Sequence, residues 1–316
     1  MAKRDSAGPL RVQIQTQSGC NGRCVFCPNE DVMKSHLEQG RMEPALFHKI
    51  IDELAELRPR RISPYLMNEP LLDTRLPELV GYIAEKVPSA STLVTTNGVK
   101  LSEDLSRRLI EAGLKRIKVS LQSLDPEVNK QLMGAQCDSD RVVENVVACR
   151  HVTREMARAG STAAKNFDLR VSMIVTSLNR AEIEEARRFW RRHDVRLVTS
   201  VLENRGGNAP KAAELNPNAM RQFRGQCLRP SREMCILWNG DVVLCCVDWW
   251  RTVRLGNVAR QSIRDVWNGA RAEAIRSALK DADESRLPKI CINCEESAAP
   301  VHRLTGIKRF LRDFLR

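Results

Sequence analysis

Three cysteines fall within eight residues, CNGRCVFC from Cys20 to Cys27, and no other feature constrains this chain as tightly. Thiols at this spacing make the backbone fold back on itself, with Gly22 giving it room, and present three soft ligands to one metal centre. A structural zinc needs four closed ligands, and the next histidine, His36, follows without zinc-finger spacing. A four-iron cubane is normally held by four cysteines, so three leave one iron open to an outside ligand. A zinc completed from afar and three buried thiols stand as the alternatives.

Eight further cysteines bring the total to eleven, more than a cytosolic chain keeps for disulfides. Cys137 and Cys149 stand alone and read as structural, whereas Cys227, Cys235, Cys245, Cys246, Cys291 and Cys294 occupy the last third. The grouping predicts two metal sites in two units, which 316 residues can accommodate. The amino terminus, MAKRDSAGPL, lacks the apolar stretch of a secretory signal, and no run is long enough for a membrane helix, so the expected setting is cytoplasmic. The net charge of +12 favours anionic partners. Its arginines, however, are scattered along helical faces and only 14 residues are aromatic, which speaks against a nucleic-acid footprint.

Between residues 10 and 202, β-rich runs alternate with segments of helical period. Strands are predicted at 10–16, 62–67, 92–96, 116–121, 168–176 and 195–202, and helices at 45–57, 75–86, 103–112, 141–159 and 181–192. The expected fold is therefore α/β: six parallel strands with right-handed crossovers, curled into a partial (β/α)6 barrel over residues 1–202. Active residues of such barrels collect after the carboxyl ends of the strands, where the first cysteine triplet lies. Residues 203–226, rich in Gly, Asn, Pro and Ala, read as a linker. A small unit over 227–298 is expected to hold a hairpin closed by a two-residue type I′ turn at Asn239-Gly240, then a helix over 262–279. The tail, 299–316, spaces Leu304, Ile307, Phe310, Leu311 and Phe314 as a basic amphipathic helix, read as docking on the protein rather than on a membrane.

CNGRCVFC resembles the signature of the radical S-adenosylmethionine (radical SAM) superfamily, and further motifs agree. MNEPLLD, from Met67 to Asp73, stands where that family carries GEP followed by LL, with Asn68 a departure and Glu69 the retained acid. TTNG, ending at Gly98, and VSLQS, from Val119 to Ser123, follow at the third and fourth strands. The resemblance implies a partial barrel and a [4Fe-4S] cluster on Cys20, Cys24 and Cys27 whose open iron binds SAM. It also implies a 5′-deoxyadenosyl radical that abstracts hydrogen. Phe26, Asn68, Glu69, Asn97, Ser120 and Arg170 are the expected SAM-binding residues. Arg170 is equally readable as a partner of substrate or as a surface ion pair.

The later cysteines, with WNGDVVLCCVD, LGN and SIRDVWN, resemble the SPASM and shorter twitch extensions of that superfamily. The resemblance implies one auxiliary [4Fe-4S] cluster, assigned to Cys227, Cys245, Cys291 and Cys294 with Cys235 in reserve. Strand alternation should turn Cys246 away from Cys245, leaving it either a buried apolar side chain or a thiol that returns hydrogen to a substrate radical.

Three reactions share this start: oxidation of a small polar molecule, epimerisation through Cys246, and maturation of a peptide. Only 19 residues precede Cys20, which is read here as favouring a small substrate over a peptide. The resemblance points to dehydrogenation or epimerisation of an aminoglycoside or sugar-like natural product, with a flavodoxin- or ferredoxin-like reductant and neither nucleic acid nor membrane as partner. A cationic aminosugar is not drawn to a +12 chain, so local acids such as Glu69, Glu203 or Asp248 would have to bind it. An iron-sulfur scaffold without SAM chemistry is the reading from a different class.

Overall fold

The structure is a computed structural model that describes residues 8–209, 211–215 and 227–295; the tail helix expected over 299–316 lies outside them. Six parallel strands follow one another in chain order: β1 (Arg11–Ile14), β2 (Arg61–Ser63), β3 (Ser91–Thr96), β4 (Arg116–Ser120), β5 (Asp168–Val175) and β6 (Arg196–Val201). Helices form the crossovers at Pro44–Leu57, Leu76–Lys86, Glu103–Glu111, Pro126–Met133, Ser139–Arg158 and Ile183–Arg192. Their starts are set locally. Ser102, Asp125 and Asp138 each accept hydrogen bonds from the first free backbone N–H groups, and Pro44, Pro77 and Pro126 stand where a missing N–H costs nothing.

Among the described residues β6 has a strand neighbour on one side only, so the sheet stays open, as a partial barrel requires. Its other edge continues. β1 pairs in parallel with β7 (Glu233–Ile236), which leads through antiparallel β8 (Asp241–Val243) to β9 (Arg254–Asn257), making a single nine-stranded sheet. Val12 and Ile14 of β1 are fully buried in one core with Met234, Ile236, Val242, Ile263 and Trp267. The first and last thirds of the chain thus share apolar packing, which the reading as two units did not anticipate.

The hairpin and its helix differ from expectation. Asn239 keeps a negative φ, and Gly240 alone is left-handed at +85°. The turn closes instead by Gly240 N–H donating to Leu237 O at 2.9 Å, with the Asn239 side chain accepting from Asp241 N. A type I′ turn needs two left-handed residues, and the side-chain bond holds Asn239 out of that region. The helix expected over 262–279 breaks into Ile263–Trp267 and Ala270–Asp281, because Gly269 adopts extended ψ between them. Within the expected linker, Arg205–Gly207 and Ala212–Leu215 are short helical turns.

Candidate functional site

Side chains alternate along β4. Ile117 and Val119 are fully buried against the helices, so Arg116, Lys118 and Ser120 face the concave side of the sheet. The register puts Arg170 and Ser172 on that side, the hydroxyl of Tyr65 reaches it by bonding Thr95, which stands opposite Lys118, and the loops after β1, β2 and β3 are tied together by Glu69 and Asn97.

Cys20, Cys24 and Cys27 lie in the loop after β1, which is tied to the fourth crossover by Arg23 N–H to Met133 O and Val25 N–H to Leu132 O. The three thiols bear on one another electrostatically. Burial pushes Cys20 up to about 12 and raises Cys24 and Cys27 as well, with Arg205 acting the other way on the latter two. Thiols so raised are protonated at neutral pH, and a metal must displace those protons.

Cys137 joins them, which its isolation in the sequence did not signal. It is 1% exposed, bears on Cys20 and Cys24, and its sulfur lies 3.2 Å from where a Cβ on Gly22 would stand. The position is set by a tight turn at Gly134 and by Asn129, whose side-chain N–H donates to Cys137 O at 2.6 Å.

Glu69 anchors the next loop. Its N–H donates to Gly19 O, while its carboxylate accepts from Leu71 N at 3.0 Å, Thr96 Oγ1 at 2.5 Å and Asn97 N at 2.7 Å. Asn97 Nδ2 in turn donates to Asn21 Oδ1 at 2.7 Å, joining the third-strand loop to the cysteine loop. Gly98 at φ +78° lets the chain turn there, since a Cβ would meet Val119 Cγ1 at 2.6 Å. Asn68 Oδ1 accepts from Leu66 N, but among the described residues its buried Nδ2 has no partner, and neither has Oε1 of Gln15, just past β1. An orphaned donor and an orphaned acceptor on the adjacent first and second chain segments suit a zwitterionic ligand bearing carboxylate and ammonium, as SAM does.

Ser120 sits on the concave face in register with Ser172. Phe26 is 5% exposed within the main core. Arg170 is no surface residue. At 9% exposure it pairs with Asp168, which Arg116 also meets at 2.7 Å.

In the last third, Cys227, Cys245, Cys291 and Cys294 pack in one apolar cluster with Leu244, Val247 and Leu279. Cys291 bears on Cys227 and Cys294, and Cys245 on Cys294. Cys235 goes elsewhere: on β7, paired with Val243, it is fully buried beside Met67, Leu237 and Trp249. β8 stops at Val243, so strand alternation does not orient Cys245 and Cys246, which lie in the turn beyond it. Cys246 packs against the apolar cluster of Cys291 and Cys294 and also against the one that includes Met67 and Cys235, which Cys27 borders. It bears on Tyr65. Asp248 is fully buried and caps that turn, accepting from Thr252 N, Thr252 Oγ1 and Val253 N.

Among the described residues no three His, Cys, Asp or Glu side chains converge on a single-ion site. A cubane, whose cysteines bind separate corners, does not need such convergence, and the all-thiol donor sets suit iron-sulfur clusters.

Comparison with known proteins supplies the context. The model of the radical SAM superfamily matches residues 14–189, and the SPASM iron-sulfur cluster-binding domain matches residues 227–295. The S-adenosyl-L-methionine-dependent 2-deoxy-scyllo-inosamine dehydrogenase of Niallia circulans is 26% identical over 287 residues, 90% of this chain and 91% of that protein. A GTP 3′,8-cyclase of Aquifex aeolicus is 29% identical over 205 residues, 60% of this chain and 55% of that protein. In fold, the chain is similar to BtrN in complex with AdoMet and 2-DOIA, with a TM-score of 0.61, 24% identity and coverage of 90% and 92% of the two chains. It is also similar to Streptococcus suis SuiB bound to the precursor peptide SuiA, with a TM-score of 0.65, 17% identity and coverage of 86% and 67%.

Proposed function

This chain belongs to the radical SAM superfamily, and on that premise we propose that it oxidises a hydroxyl-bearing carbon of a small cyclitol- or sugar-like molecule to a carbonyl. When bound, a [4Fe-4S] cluster with SAM supplies a hydrogen-abstracting organic radical, and one auxiliary [4Fe-4S] cluster supplies an electron acceptor.

The chain's own residues divide the work. Cys20, Cys24 and Cys27 hold the first cluster and, having no fourth cysteine in their motif, leave a corner for SAM. Asn68, Asn97 and Ser120 line the SAM side, and Glu69 fixes the loops that carry them. Cys227, Cys245, Cys291 and Cys294 hold the second cluster. Tyr65, on the concave face with its hydroxyl bonded to Thr95 Oγ1 at 2.7 Å, is placed to orient a substrate hydroxyl. The observation that carries the reading is the pairing of β1 with β7, which joins in one sheet the strand leading into the Cys20–Cys27 loop and the hairpin leading into Cys245. The likeness over nine-tenths of the chain to an inosamine dehydrogenase supports a ring alcohol as the reacting group.

Epimerisation is the second reading, favoured by Cys246, which packs against two apolar clusters, one of them bordered by Cys27, and bears on Tyr65. A flavodoxin- or ferredoxin-like reductant and a cytoplasmic setting complete the proposal. No helix among the described residues is long and apolar enough to cross a membrane.

Anaerobic reconstitution with iron, sulfide, SAM and dithionite tests the reading. Release of 5′-deoxyadenosine supports it, and its absence from cluster-loaded protein would falsify it.

A further inference from the structure

Lys118 occupies the middle of β4 on the concave face, in register with Thr95 of β3 and Arg170 of β5. Among the described residues it has no carboxylate partner. The charges that bear on it most are positive: Arg205, Arg61, Arg170 and Arg116. Burial, with these cations behind it, pushes its pKa below the ordinary lysine value. Neighbouring anions are already engaged. Asp168 is shared by Arg116, Arg170 and Arg196, at 2.7, 2.5 and 3.7 Å, and Glu233 pairs with Arg11.

The three acids that the sequence offers to a cationic aminosugar are likewise in use. Glu69 accepts three hydrogen bonds from its own loops. Asp248 accepts three within its turn. Glu203 is met by Arg229 at 3.3 Å. The thiols have other cations for charge compensation, since Arg205 offsets Cys24 and Cys27, and Arg229 offsets Cys245 and Cys246.

A lysine kept among arginines is costly in the free protein, and such a charge is retained where a ligand answers it. We propose that the substrate carries an anionic oxygen group, a phosphate or a carboxylate, and that Lys118 binds it on the concave face. This deepens the dehydrogenase reading, resting on the concave face being the substrate chamber. It replaces the aminosugar with an acidic or phosphorylated ring.

The test is calorimetric binding of glucose 6-phosphate, glucuronate, glucose and glucosamine to the anaerobically reconstituted protein with SAM. At least one anionic probe is expected to bind tenfold or more tightly than glucose and glucosamine. A phosphate preference and a carboxylate preference separate the two sources. Lys118→Met is expected to abolish that preference, to leave SAM affinity unchanged, and to raise the thermal midpoint of the ligand-free protein by removing a half-buried, repelled charge.

Four results would overturn the proposal: glucosamine binding as tightly as the anions, no measurable binding of either anion, loss of SAM affinity in the variant, or a lowered midpoint. Release of 5′-deoxyadenosine from the unaltered protein reports separately on the radical reading. A chain that cleaves SAM yet prefers glucosamine therefore refutes this inference alone.

Discussion

Arg11 and Glu233 stand opposite one another where β1 pairs with β7, and their side chains meet at 2.5 Å. That ion pair marks the seam between the barrel and the unit that carries the later cysteines. The backbone ladder and the core beneath it make the seam rigid.

Because the seam's core is shared, Met234→Ala should destabilise the whole protein rather than the carboxyl-terminal unit alone. Met234 is 2% exposed, and truncating a buried methionine costs about 2–5 kcal/mol. Urea unfolding followed by far-UV circular dichroism and by tryptophan fluorescence should give coincident transitions at a lower midpoint. Two separated transitions would show that the units unfold independently.

Cys245 and Cys246 are adjacent in sequence, and the proposed function gives them different roles. Cys245→Ala should lose the iron of the second cluster, whereas Cys246→Ala should retain it, as read by iron and sulfide analysis. With substrate, the Cys246→Ala protein should still form the oxidised product; if the product is instead an inverted centre, its loss in this variant assigns the reaction to epimerisation.

Glu69→Gln replaces one acceptor oxygen with a donor facing the N–H of Asn97 or the hydroxyl of Thr96. Losing one such bond should slacken the third-strand loop and weaken SAM binding by about tenfold, equivalent to about 1.4 kcal/mol. Equilibrium binding of SAM to reconstituted protein measures it; unchanged affinity would remove Glu69 from the site's support.

Asp168 sets an acid limit on stability. Burial works to raise its pKa, but the hydrogen bond from Arg170 and the charges of Arg116 and Arg170 outweigh this and hold it below the ordinary carboxylate value. A carboxylate depressed in the folded state contributes stability above its unfolded pKa, and the contribution is lost as pH falls through the folded value. Asp168→Asn should therefore lower the urea midpoint at pH 7 and flatten its decline below about pH 4. Equal slopes in the two proteins would refute the assignment.

The order of strands and helices was legible in the sequence because burial against helices imposes its period residue by residue: Ile117 and Val119 alternate with Lys118 whatever lies far along the chain. The spacing from Cys20 to Cys27 was legible for the same reason, since ligands within one loop need no distant partner. What the sequence could not reveal was decided by approach across hundreds of residues. Only the folded chain brings Cys137 beside Cys20, lays Met234 against Val12, packs Cys246 against two apolar clusters, and brings Arg61, Arg170 and Arg205 to Lys118. Local propensity acts through neighbours in sequence, whereas charge and packing act through neighbours in space, so composition alone left Glu69, Glu203 and Asp248 free to bind a cationic substrate, while the folded chain engages all three in bonds of its own.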